Sequence, residues 1–147
     1  MYNYKSYVPF SDPIINNPGA GQDVRVLRYA DVLLMNAEAA NNGGNTTLAL
    51  ADLELVRSRA RGGNSAVLPA VTTTDHDQLQ LAIRHERQVE LAMESDRFFD
   101  VIRQGRAAQI FGPRGFVTGK NELQPLPVSE IVLSGGMLKQ NPGYPSN

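Results

Sequence analysis

"RHERQVELAMESDRFFDVIRQG", residues Arg84–Gly105, decides how this chain folds. Its apolar spacing is helical, yet carboxylates stand where a helix should be greasy. With Leu79 as origin and an advance of about 100° per residue, Ile83 falls at about 40°, Ala82 at about −60° and Met93 at about −40°. Glu86, at about −20°, and Glu90, at about 20°, lie in the middle of that stripe. Arg97 returns to the origin if the helix continues that far. The most apolar face thus carries two acids and a base. Two readings compete. A carboxylate pair could do acid–base work on a glycosidic bond, which needs two carboxyls about 5–9.5 Å apart across a sugar. Two Glu at i, i+4 reach that spacing, but they point in parallel and do not flank a cleft. The alternative is an internal ion-pair network, with Glu86 and Glu90 meeting Arg57, Arg97 or Arg103. Breaking one such buried pair costs about 3–5 kcal/mol. The network is the expectation, and no residue is assigned a catalytic role.

Working outward, the third helix starts near Asp75, where "DHDQ" makes a capping box with Thr74 as a rival cap. It runs to about Ser95, bends before "DRFFDVIRQG" and stops at Gly105, so residues 75–105 form a helix pair. Upstream, "VRVLRYADVLLMNAEAANN" is a first helix capped at Asp23. Tyr29, Val32, Leu33, Ala37 and Ala40 form one stripe on it; Leu27, Ala30 and Leu34 form another. A helix apolar on two sides is expected to be covered on two sides. "NNGGN" ends it, and "TTLALADLELVRSRARGG" is a second helix with Ala49, Leu53, Val56 and Ala60 on its buried side. Residues 23–61 are therefore a helical hairpin of tetratricopeptide-like spacing, a unit that usually stacks in threes or more. No second copy follows. Residues 1–22 read as a loop or strand lead-in. After Gly105 the periodicity fails, and residues 106–147 read as irregular chain draped over helices, with "PVSEI" opening one short turn. The whole, 1–147, is read as a single mostly α unit.

Composition narrows the function. The chain has 147 residues, a formal net charge of −1 and no cysteine. No basic field invites nucleic acid. Disulfides, thiol nucleophiles and cysteine-ligated zinc are excluded. No signal peptide and no membrane-spanning run is visible. "DHD" (Asp75–Asp77) reads as a helix start, where acids favour the dipole, not as a metal site. "GPRG" (Gly112–Gly115) reads as a turn, since no strand precedes it as a phosphate loop requires. "NTT" (Asn45–Thr47) is a glycosylation sequon only in a eukaryotic secreted protein. Tyr2, Tyr4, Tyr7 and Phe10 could stack on sugar rings, but ordinary packing is the expected role. No cofactor and no metal ligand is expected.

Three stretches together resemble one family. "VRVLRYADVLLMNAEA" is similar to its R-Y-A-D-V-L-L-M-x-A-E-A helix. "IRHERQVELAMESDRFFDVIRQG" is similar to its I-x-x-E-R-x-x-E-L-x-x-E-x-x-R-x-x-D-x-x-R-x-G helix pair. "LQPLPVSEIVLSGGMLKQNPGY" is similar to its closing P-(I/L)-P-x-x-E-I and Q-N-P-G-Y. Order and spacing agree over about residues 23–144, and the chain is identified as resembling the SusD/RagB family of Bacteroidetes. Departures are modest: Ser95-Asp96 replaces a frequent Glu-Gly, and "SGGML" an Asn-rich turn.

The resemblance implies a mostly α-helical nutrient-binding lipoprotein on the cell-surface face of the outer membrane. Such proteins bind oligosaccharides or other nutrients without chemistry. Their partner is a SusC-like TonB-dependent barrel through which the nutrient is taken up. It further implies that this chain corresponds to the C-terminal portion of a longer parent, the N-terminal part and the lipidated cysteine being absent. The family's sugar-contacting aromatics generally lie in upstream loops, so no ligand-binding residue is carried over. The rival expectation is a helical-repeat interaction scaffold with no small ligand.

Overall fold

The computed structural model describes residue 5, residues 25–64 and residues 66–145. These form six α-helices: α1 (Tyr29–Asn42), α2 (Thr46–Arg61), α3 (His76–Glu90), α4 (Arg97–Arg103), α5 (Ala107–Phe111) and α6 (Val128–Leu133). They group into two compact units, residues 1–95 and 96–147. Among the described residues there is no strand, and no helix is long and apolar enough to cross a membrane.

In the first unit α1 and α2 make the hairpin and α3 packs against α1. The core is Leu34 and Ala37 of α1, Ala49, Leu53 and Val56 of α2, and Leu79 and Ile83 of α3. Ala37 and Ala49 are fully buried, and their small side chains let the two helices approach closely. Each fully buried leucine contributes about 1.5–3 kcal/mol of apolar transfer. Local signals place the ends. The Asn45 side-chain Oδ1 accepts from Leu48 N at 3.1 Å and starts α2, so the sequon asparagine is a helix cap. Gly62, at φ 57, adopts the left-handed conformation that ends it. Asp75 caps α3 by accepting from Gln78 N at 2.9 Å, as the capping box predicts.

Three expectations are corrected here. The first helix starts at Tyr29, because Arg28 is extended (φ −125, ψ 154) with its guanidinium held elsewhere; Asp23, the expected cap, lies outside the described residues. Tyr29 and Val32 are exposed, because α2 and α3 cover only the side of α1 marked by Leu34 and Ala37; Leu27, ahead of α1, and Ala60, in the last turn of α2, are exposed as well. Met93 is also exposed, since α3 ends at Glu90 and Met93 follows in a turn at φ 68.

The second unit is built differently. Asp100 and Val101 of α4 and Ala107 of α5 are buried. The chain beyond α5 is not wholly irregular: a 3-10 turn covers Gly112–Arg114, and "PVSEI" opens the six-residue α6. Between them, backbone groups with no ladder partner are satisfied by side chains. The Gln140 amide accepts from Leu126 N at 2.8 Å and donates to Leu126 O at 2.9 Å. The Asn141 amide donates to Gln124 O at 2.5 Å, and the Tyr144 hydroxyl donates to Leu123 O at 3.0 Å. The Gln-Asn-Pro-Gly-Tyr run is thus a clip holding residues 123–126. Gly143 completes it at φ 80, where a Cβ would lie 2.9 Å from Lys120 Cγ. The glycine lets Lys120 lie over the Tyr144 ring, 4.9 Å from its centroid.

Candidate functional site

The carboxylates of the opening stretch find guanidinium partners. Glu86, 4% exposed, accepts from Arg57 Nη1 at 2.6 Å; Arg57 also donates to Pro69 O at 2.7 Å. Glu90 accepts from Arg28 Nη1 at 2.9 Å and from Arg59 Nη2 at 2.8 Å. Of the arginines expected to meet these acids, Arg57 does so. Arg28 and Arg59 are partners that the helical wheel did not single out, and Arg103 bonds Asp100 at 2.9 Å. A third acid, Glu94, takes Arg28 Nε at 2.7 Å and Lys5 Nζ at 2.6 Å. Arg28 and Lys5 also donate to the carbonyls of Glu90 and Ala92, where the α3 dipole is negative. Asp31 Oδ1 of α1 and Arg87 Nη1 of α3 add an ion pair at 2.8 Å.

This network ties three helices together, and its acids are spoken for. Burial pushes the Glu94 carboxyl up, but the hydrogen bonds from Arg28 and Lys5 outweigh it and hold the group below its ordinary value of 4.5. Glu54 is held low chiefly by its hydrogen bond from Arg61. Folded values below the unfolded ones give a stabilisation that is complete above the ordinary Glu range and disappears as pH falls through the depressed values. Urea-unfolding free energy is therefore expected to be level from neutrality to about pH 5 and to drop in more acid solution. Glu94→Gln should shorten that acid limb; an unchanged limb would rule Glu94 out as its source.

The remaining candidates are accounted for locally. His76 Nδ1 and Asp77 Oδ1 lie 2.8 Å apart at the start of α3. Gly112–Gly115 is the 3-10 turn with its left-handed glycine at φ 93. Tyr2, Tyr4, Tyr7 and Phe10 lie outside the described residues.

The second unit brings together a set that the sequence pattern did not. Phe98 of α4 and Phe111 of α5 stack with centroids 5.9 Å apart and planes 20° off parallel. Phe116 continues the row 6.4 Å from Phe111. These rings, with Arg114, Gly115, Asn121, Gln124 and Tyr144, line a pocket of about 360 Å³, at the small end of the range for ligand sites. Asn121 is held by accepting from Val117 N at 2.7 Å. Arg114 makes a long 3.5 Å contact to Ile110 O, and the Gln124 side-chain amide has no partner among the described residues. Among the described residues its lining holds no carboxylate and no histidine. Aromatic rings here stand beside amide and guanidinium groups.

The SusD family model matches residues 1–121. This chain belongs to the SusD family. SusD-like protein P2 of Formosa agariphila is 31% identical over 170 aligned positions, covering 98% of this chain and 34% of the relative. SusD-like protein P38 of the same organism is 32% identical, covering 83% and 25%. Among solved structures, a laminarin binding SusD-like protein matches with TM-score 0.65 and 43% identity over 81% of this chain and 23% of its own. A SusD-like protein from Bacteroides fragilis matches with TM-score 0.65 and 30% identity, over 86% and 28%. The mostly α fold is that of these SusD-like structures, and the chain spans about a third or less of each relative's length.

Proposed function

We propose that this SusD-family chain serves non-covalent glycan capture at the cell surface. It does so as part of a lipoprotein on the outer face of the outer membrane, which hands the glycan to a SusC-like TonB-dependent barrel. What carries the reading is the 43% identity, over four-fifths of the chain, to a laminarin binding SusD-like protein. Laminarin-type glucans are accordingly the first ligands to try. A passive role is in keeping with Glu86 and Glu90, whose carboxylates are engaged by arginines and so are poorly placed to act on a sugar. The test is native electrophoresis through gels containing laminarin, mannan, xylan or no glycan. Retardation by laminarin, without release of reducing ends, is the expected result. Equal mobility in every gel would overturn the glycan reading. It would favour the second reading, an interaction scaffold, which draws on the exposed Tyr29, Val32 and Met35 of α1.

A further inference from the structure

We infer that the open face of the α1–α2 hairpin is an internal seam of the full-length protein, covered by an amphipathic helix from the part of a SusD-family chain that this one does not match. The inference goes beyond the glycan reading and holds whichever ligand is captured. The face is centred on a bond between the two helices, from Asn36 Nδ2 to Asp52 Oδ2 at 2.5 Å. Residues three and four apart are neighbours on a helix, so Val32 and Ala39 flank Asn36 while Leu48 and Leu55 flank Asp52. All four are exposed, although the same hairpin buries Leu34, Ala37, Ala49, Leu53 and Val56 on its other side.

Three observations say what covers it. The first is charge. The exposed side chains around the Asn36–Asp52 bond are Val32, Ala39, Leu48, Ala51 and Leu55, and the Asp52 carboxylate is already buried beneath Asn36. Covering this face therefore takes no exposed ion out of water. The exposed side of α3 differs, since Leu81 and Val89 are interspersed there with Asp77, His85 and Gln88, a mixture that suits solvent. The second is architecture: hairpins of tetratricopeptide-like spacing bury such faces against further helices, and one hairpin alone leaves its face bare. The third is length. This chain spans 34% and 25% of its Formosa agariphila relatives and 23% of the laminarin binding one, so proteins of this kind carry ample further chain to supply the helix. Apolar residues at i, i+3, i+4 and i+7 on that helix would fill the groove, against Val32 and Leu55 at one end and Ala39 and Leu48 at the other. The face is then no docking site for a separate protein, which sets this inference apart from the scaffold reading.

Thiol labelling tests this, because the 147-residue chain has no cysteine and an introduced one is unique within it. Leu55→Cys is made in this chain alone and in a chimera, in which the chain replaces the stretch it matches in the laminarin binding relative. A maleimide is expected to label the isolated chain fast and the chimera at least tenfold more slowly, roughly, since a covered thiol reacts only through local opening. Val89→Cys, on the exposed side of α3, should label at similar rates in both. Mass spectrometry of the labelled peptide keeps any cysteine of the relative out of the count. Equal rates for Leu55→Cys in the two proteins would overturn the seam and leave the face to a separate partner. Slow labelling of the isolated chain that speeds up on dilution would overturn it in favour of a second copy. Should the chimera not fold, cysteines placed in the native relative at the positions aligned with Leu55 and Val89 decide by the same comparison of rates.

Discussion

Replacing Glu86 with Leu is expected to lower the unfolding free energy of the first unit by about 3–5 kcal/mol. The carboxylate is 4% exposed and bonds Arg57 at 2.6 Å across the α2–α3 contact. Its removal leaves a largely buried guanidinium that still donates to Pro69 O but has lost its counter-charge. Glu86→Gln, which keeps an acceptor, should cost less. Replacing both partners, with Arg57→Met beside Glu86→Leu, should restore much of the loss, because the desolvation penalty of an orphaned charge disappears with the charge. Urea denaturation of the four proteins forms a double-mutant cycle. A near-zero coupling energy would mean that the pair is spectator to the fold. A glycosidase would behave otherwise, with Glu86→Gln abolishing turnover in a protein of normal stability.

The second large effect belongs to Leu53. This residue is 1% exposed at the centre of the α1–α2–α3 core, and Leu53→Ala should destabilise by about 2–5 kcal/mol through lost transfer energy and the cavity left behind. Leu55, on the same helix, is 53% exposed, and Leu55→Ala should change stability by no more than about 0.5 kcal/mol. Similar losses at the two positions would mean that both faces of α2 are covered in solution, contrary to the observed burial. A marginally stable domain has roughly 5–15 kcal/mol in total, so the Glu86 and Leu53 changes combined should leave little folded protein at room temperature.

Much of the first unit was legible before the structure. Leu79, Ile83 and Glu86 fall on one stripe and are buried together, and Asp75 caps α3 as its spacing required. The α1 register was less legible. Val32 and Leu33 look equally apolar, yet Leu33 packs on the core and Val32 is exposed. A hydrophobic pattern says that a face can be buried, not which neighbour is there to bury it. The pocket was least legible. Phe98, Phe111, Phe116 and Tyr144 share no period, and the aromatics that drew attention, Tyr2 to Phe10, were a tighter cluster in the chain alone. The one available signal was Gln140–Tyr144, a polar run too structured for a tail.

What the sequence by itself determined is what acts over a turn or two of chain: the helices, their caps, the terminating glycines, the need for buried acids to be paired, and membership of the SusD family through motifs in fixed order. What only the tertiary structure decided is which groups meet. Glu90 lies 62 residues from Arg28 and 31 from Arg59, and no local preference chooses between those guanidiniums and others of the chain. Capping and periodicity are energies between near neighbours in sequence. Ion-pair choice and pocket formation depend on distances that exist once the helices have packed.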